Sequence, residues 1–184
     1  MHIQELPEEM LVRILGLCLL LPPADFFDEA RMEHLGYRRT CLNIHPAHTL
    51  LQVCKQWARI GTPLLYTSLL LVSRRHAEKV ASCFVRNPHV GERIRYVRMS
   101  GRYSRDLVSI ARHAPNVTAV HVFPPFDPIP SGIENLCEVL NILDPVTLHI
   151  GHLGSSMIAP FIQQSTTLVS AGYQYTYLFS YAFM

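Results

Sequence analysis

Arginine is the residue type most unevenly placed in this chain. Ten of the 16 Lys and Arg fall between Arg74 and Arg112, against three acids there, Glu78, Glu92 and Asp106. A guanidinium fork pairs with carboxylate or phosphate through parallel hydrogen bonds. Arg95, Arg98, Arg102 and Arg105 therefore read as a candidate surface for an acidic or phosphorylated protein substrate, next to the plainer reading of a solvated face. Nucleic acid is the other anion such a patch would suit. Tyr96 and Tyr103 lie nearby, but no interleaved aromatic platform or recognition helix accompanies them. On a strand over Ile94–Met99, Arg95 and Arg98 have opposite parity and cannot share one sheet face.

The remaining chemistry-bearing residues form no catalytic pattern. His45/His48 and His149/His152 are i, i+3 pairs without a cysteine or carboxylate at ligand spacing, so no metal is expected. His121 falls on a predicted strand and reads as a packed or hydrogen-bonded histidine. Neither a nucleophile elbow, a phosphate-binding glycine loop nor a metalloprotease motif occurs. The expectation is a protein with no catalytic residue and no cofactor. Cysteines 18, 41, 54, 83 and 137 include no CxxC pair. They read as buried free thiols in a reducing compartment, with Cys54 inert in the middle of an apolar stripe. No secretory leader pattern precedes the first motif, so the cytoplasm or nucleus is expected.

The elements that must position these residues fall into two styles. Pro7 suits a first helical turn, and Glu8 and Glu9 suit the positive end of a helix dipole. Met10, Leu11, Ile14, Leu15 and Cys18 then recur at helical spacing. A second helix is predicted from an N-cap at Thr49 through the stripe Leu50, Val53, Cys54 and Trp57, with Lys55 and Arg59 toward its end and Gly61 and Pro63 stopping it. Two amphipathic helices of this kind are most simply core helices of an α-helical domain.

After Tyr66 strands and helices alternate. Strands are predicted at Ser68–Val72, Ile94–Met99, Val117–Phe123 and Val146–Ile150. Between them lie helices begun by Ser73, Ser104 and Ser131. Asn87-Pro88 and Ala114-Pro115-Asn116 turn helix into strand. The strands recur about every 23–28 residues, a spacing within the range of leucine-rich-type repeats, although ordinary mixed α/β packing has the same rhythm.

In its first seventy residues the chain resembles an F-box protein. The resemblance rests on Leu6-Pro7-Glu8-Glu9 followed by Met10, Leu11 and Ile14, then Val53-Cys54-Lys55-Gln56-Trp57, then Pro63-Leu64-Leu65-Tyr66. The whole resembles the fungal type, with an N-terminal F-box and an irregular leucine-rich-like region. The resemblance implies an α+β chain of three parts. These are an F-box module over 1–70 with an insertion at about 21–48, a β–α substrate-binding region over 71–152, and an uncharged tail over 153–184. It also implies a non-catalytic substrate receptor of a ubiquitin ligase, partnered by a Skp-type adaptor and through it a cullin. The adaptor contact would then draw on Leu6, Pro7, Met10, Leu11, Ile14 and Leu15, with Val53, Cys54, Trp57, Leu64 and Leu65 as core or second contact. The insertion is a departure from the family, whose two pieces are usually joined by a short link. A basic-patch nucleic-acid or phosphate binder is the rival reading, and a degenerate, truncated F-box protein a further one.

No Asp, Glu, Lys or Arg follows Asp144. The aromatic stretch from Leu168 onward reads as patternless. It carries too many polar residues for a membrane span, which needs about 20 mainly apolar ones. An array cut short is the expectation for this tail.

Overall fold

The computed structural model describes residues 6–28, 46–100, 104–123, 130–151 and 174–178. The chain divides into two compact units, Met1–Ser68 and Leu69–Met184. Helices and strands are mixed, consistent with an α+β class.

The first unit is helical: α1 (Glu8–Leu19), α2 (Pro23–Phe27), α3 (Pro46–Leu51) and α4 (Lys55–Leu65). Pro7 precedes α1, and Glu8 and Glu9 fill its first turn, as the dipole favours. Leu11, Leu15 and Leu19 of α1 pack with Trp57 and Ile60 of α4 into a core that Leu6, Leu50, Leu51, Cys54, Leu64 and Leu65 flank. The buried face of α1 is therefore 11–15–19. Met10 and Cys18, expected on the inward stripe, are exposed. The expectation of buried thiols fails at Cys18, and Cys54, Cys83 and Cys137 are only half-buried.

The predicted second helix is two helices. Gln52 and Val53 donate to the carbonyls of Thr49 and Leu50 at 3.1 and 3.4 Å, i→i+3 bonds that tighten and close α3. Cys54 then caps α4, whose first turn holds Lys55. Thr49 lies inside α3 rather than capping a helix, and α4 continues through Gly61 and Pro63 to Leu65. Gly61 is a packing residue, because a Cβ there would lie 2.5 Å from Leu51 Cδ2 and 2.9 Å from Leu19 Cδ1. Of the insertion, α2 starts at Pro23, where a proline suits the first helical position. Residues 29–45, with His45, lie outside the described residues.

The second unit is a sheet with helices between its strands: β1 (Ser68–Leu71), α5 (Arg74–Arg86), the single turn α6 (Pro88–Gly91), β2 (Tyr96–Ser100), α7 (Arg105–His113), β3 (Ala119–Phe123), α8 (Pro130–Leu143), β4 (Thr147–Gly151) and β5 (Gln174–Leu178). Strand order is β1-β2-β3-β4-β5, and β2 through β5 pair in parallel. Such a walk in one direction, with right-handed crossovers, puts the crossover helices on one face. Burial agrees: Leu69, Leu71, Val97, Met99, Val120, Val122, Leu148 and Ile150 share one core with Ala77, Phe84, Leu107, Ile110, Leu136 and Leu140. Ser73 caps α5, its Oγ accepting from the His76 N–H at 3.2 Å. Asp144 ends α8 at φ 43°, a left-handed position that aspartate tolerates better than most residues.

The helix-to-strand turns stack on each other. Glu92 O accepts from Asn116 Nδ2 at 2.7 Å and from Arg95 Nη1 at 3.0 Å. Thr118 Oγ1 donates to Arg95 O at 3.2 Å. In the tail, Gln174–Leu178 is not patternless but a strand registered with Thr147–Gly151. Alternation of Tyr175 and Tyr177 with Gln174 and Thr176 is a strand signal. Residues 152–173 and 179–184 lie outside the described residues.

Two glycines make a paired prediction. At Gly91 a Cβ would sit 2.2 Å from the His113 carbonyl oxygen, and backbone cannot step aside. At Gly61 the obstacles are leucine tips, which can rotate. Chemical denaturation of Gly91→Ala should show a loss of about 1–3 kcal/mol, larger than that of Gly61→Ala. Equal losses would contradict this packing account.

Candidate functional site

Two surfaces collect the residues with functional potential, one on each unit. The first is α1. With 11–15–19 inward, the opposite side carries Met10, Arg13 and Leu17, and Leu20 follows one turn on. Met10 is 47% exposed, Leu17 88% and Leu20 40%, with Val12 at 41%. Apolar groups so placed are normally drawn out of water, so α1 has a core face and a second apolar face. One exposed ion pair orients it: Arg59 of α4 holds Glu8 through two hydrogen bonds, at 3.1 and 2.6 Å. The Arg59 hydrogen bonds hold the Glu8 carboxyl below its ordinary range. The stretch Glu8–Phe27 has mean hydropathy 1.8 and is long and apolar enough to cross a membrane. Within that stretch α1 stops at Leu19, Leu20 is extended and α2 begins at Pro23, so it is two helices rather than one.

The named adaptor-contact residues divide between the two faces. Leu11, Leu15 and Trp57 are buried. Leu6, Cys54, Leu64 and Leu65 flank the core half-buried, and Ile14 is half-buried. Pro7, Met10 and Val53 are exposed, Val53 at 55%. Leu17 and Leu20 are additions. Leu17 falls at i+7 from Met10, a signal present in the sequence once the inward face is known.

The second surface is the sheet face opposite the helices. Register aligns Arg98 of β2 with His121 of β3 and His149 of β4. The two imidazole rings lie 6.1 Å apart at 64°, and Phe123 stands edge-on to His121 at 6.4 Å. Gly151 makes the room: a Cβ there would come within 2.9 Å of His121 Nε2 and 2.8 Å of Phe123 Cδ2. Arg98 is 7% exposed and His121 1%. Burial above all, then the charge of Arg98 and the neighbouring His149, pushes the His121 pKa down to about 3. Burial also lowers that of His149. Both rings are therefore neutral at pH 7, each able to donate from one nitrogen and accept at the other. Among the described residues no group of three or more His, Cys, Asp or Glu converges as a metal site would require. His152 lies outside them.

Three of the four arginines proposed to meet a substrate are described, and they occupy different settings. The strand begins at Tyr96, so Arg95 precedes it and holds the turn: its Nη1 donates to the carbonyls of Glu92, Ile94 and Asn116. Arg98 is buried in the sheet face. Arg105 is exposed at the start of α7, and Arg102 lies outside the described residues. The alignment of His121 with His149 was not foreseen, since only strand register places them side by side.

Compared with family models, curated proteins and solved structures, the chain matches none.

His121 has a pH signature. Its folded pKa of about 3 lies below the unfolded value near 6.5, so the unfolded chain binds the extra proton. Stability is complete above pH 6.5 and is lost as pH falls toward 3, by about 2 kcal/mol between pH 7 and 5. Denaturation curves of His121→Leu should show a smaller loss over that interval. An unchanged pH dependence would mean that His121 is not kept neutral by the fold.

Proposed function

We propose that this chain is a substrate receptor of a Skp–cullin–F-box ubiquitin ligase. The observation that carries the reading is the second apolar face of α1. A helix that already contributes Leu11, Leu15 and Leu19 to its own core also presents Met10 and Leu17 to solvent. In an F-box module the Leu-Pro segment and the helix after it meet the adaptor, and Leu6-Pro7 leads directly into this helix. Burying such side chains at an interface contributes about 25 cal/mol per Å² of apolar surface, before the cost of association. The β–α unit would then hold a protein substrate. Its role would be to raise the local concentration of the substrate lysine near the ubiquitin-loaded enzyme, a proximity effect that requires no catalytic residue of its own.

The test is co-expression of the full chain with a Skp-type adaptor, followed by size-exclusion chromatography. Wild type should co-elute as a stoichiometric complex. Met10→Glu with Leu17→Glu should abolish co-elution while leaving the circular dichroism unchanged, since both residues face solvent. Leu11→Ala should instead cost about 2–5 kcal/mol of stability in the helical unit. Co-elution that survives the double glutamate variant would sink the reading.

A further inference from the structure

The outer face of α5 gathers cations against the usual rules of helix charge placement. Arg75, Lys79, Ser82 and Arg86 recur at i, i+4, i+7 and i+11, one solvent-facing row opposite the buried Ala77, Ala81 and Phe84. Arg74 and Arg75 occupy the first turn, which holds no acid, where the positive end of the dipole disfavours cations. Arg75 and Lys79 are like charges at i, i+4, an unfavourable pair. By contrast α1 opens with Glu8 and Glu9, and α7 has Asp106 beside Arg105 in its first turn and Arg112 and His113 in its last; α4 also pairs like charges, Lys55 and Arg59, but there Arg59 is held by Glu8. Three other exposed cations have carboxylate partners, Arg59 with Glu8, Arg74 with Glu78 and Arg112 with Glu138, and Arg13, Lys55, Arg93 and Arg105 are exposed without one among the described residues but are not in the row. Among the described residues Arg75, Lys79 and Arg86 have none, and Arg86 lies along the helix with its Nε on the Ser82 carbonyl at 3.1 Å. Local costs kept without a local return are the mark of a functional surface.

We infer that this row docks an acidic protein segment, with carboxylates spaced along about 16 Å of helix. A broad polyanion fits less well. The row is one side chain wide and is flanked by Glu78, and the chain as a whole carries only +2. No aromatic stands in the row to stack a base. This row does not include Arg95, Arg98 or Arg105 and does not rest on the adaptor reading.

The test uses the full chain and fluorescence anisotropy at low salt. Its probes are a labelled helical peptide with Glu at i, i+4, i+7 and i+11, a twelve-residue oligothymidylate, and vesicles containing phosphatidylserine. Wild type should bind the peptide in preference to the other two. Arg75→Glu with Lys79→Glu should weaken peptide binding about tenfold or more, whereas Arg93→Ala with Arg105→Ala, off the row, should leave it nearly unchanged. Arg75→Glu alone should raise the melting temperature, because it places an acid in the first turn four residues before Lys79, and yet still weaken binding. Absence of peptide binding, an equal loss in the off-row variant, or tighter binding to the oligonucleotide or vesicles would overturn the inference.

Discussion

The parallel ladder that runs in chain order from β2 to β5 is the constraint on which the second unit depends. Each strand pairs with the strand before it. Every connection must therefore cross over, and crossing with one hand stacks the helices on one side. From this follow the apolar parity of Val97, Val120 and Leu148 under the helices and the opposite parity of Arg98, His121 and His149. The turns obey the same repeat: Arg95 and Asn116 lock neighbouring turns together, and Gly91 lets the His113 carbonyl come close. A buried charge on such a sheet costs more than a buried neutral group, and burial holds the imidazoles of His121 and His149 neutral beside the cation of Arg98.

In the helical unit the governing fact is how α1 is rotated. Three leucines four residues apart face α4, with Gly61 admitting the close approach. Met10, Arg13, Leu17 and Cys18 are left outside. Apolar character on both sides of one helix is uncommon in a solvated monomer, and it ties the packing of this unit to its proposed partner. The Glu8–Arg59 pair adds little energy at the surface and links the first turn of α1 to α4.

Local signals in the sequence were readable because their causes are local. Ser73 announces α5 by its cap, Asn87-Pro88 ends it, and Leu107, Ile110 and Ala111 show the inward face of α7 by spacing alone. Non-local features were hidden. Gly61 reads as a stop until Leu19 and Leu51 are seen against it. Cys18 reads as inward because the stripe beginning at Met10 is as periodic as the one beginning at Leu11, and only α4 decides between them. The pairing of His121 with His149 depends on strand register across a whole crossover, which no spacing rule supplies. Arg95 and Arg98 read as opposite faces of one strand, whereas the strand begins at Tyr96; that the first holds a turn and the second is buried depends on Asn116 and on the neighbouring strand. The alternation in Gln174–Leu178 was present in the residues and overlooked among so many tyrosines.

Strand order identical to chain order also shapes how such a structure assembles. Each crossover returns the chain to the strand it has just left, so most pairings close loops of one β–α length rather than bridging distant segments. Pairing between neighbouring units suits stepwise ordering, in which each strand already in place templates the next. Stability then behaves as a sum of neighbour terms. A defect at one strand would loosen its two flanking interfaces first, so that damage spreads from neighbour to neighbour instead of dissolving the sheet at once.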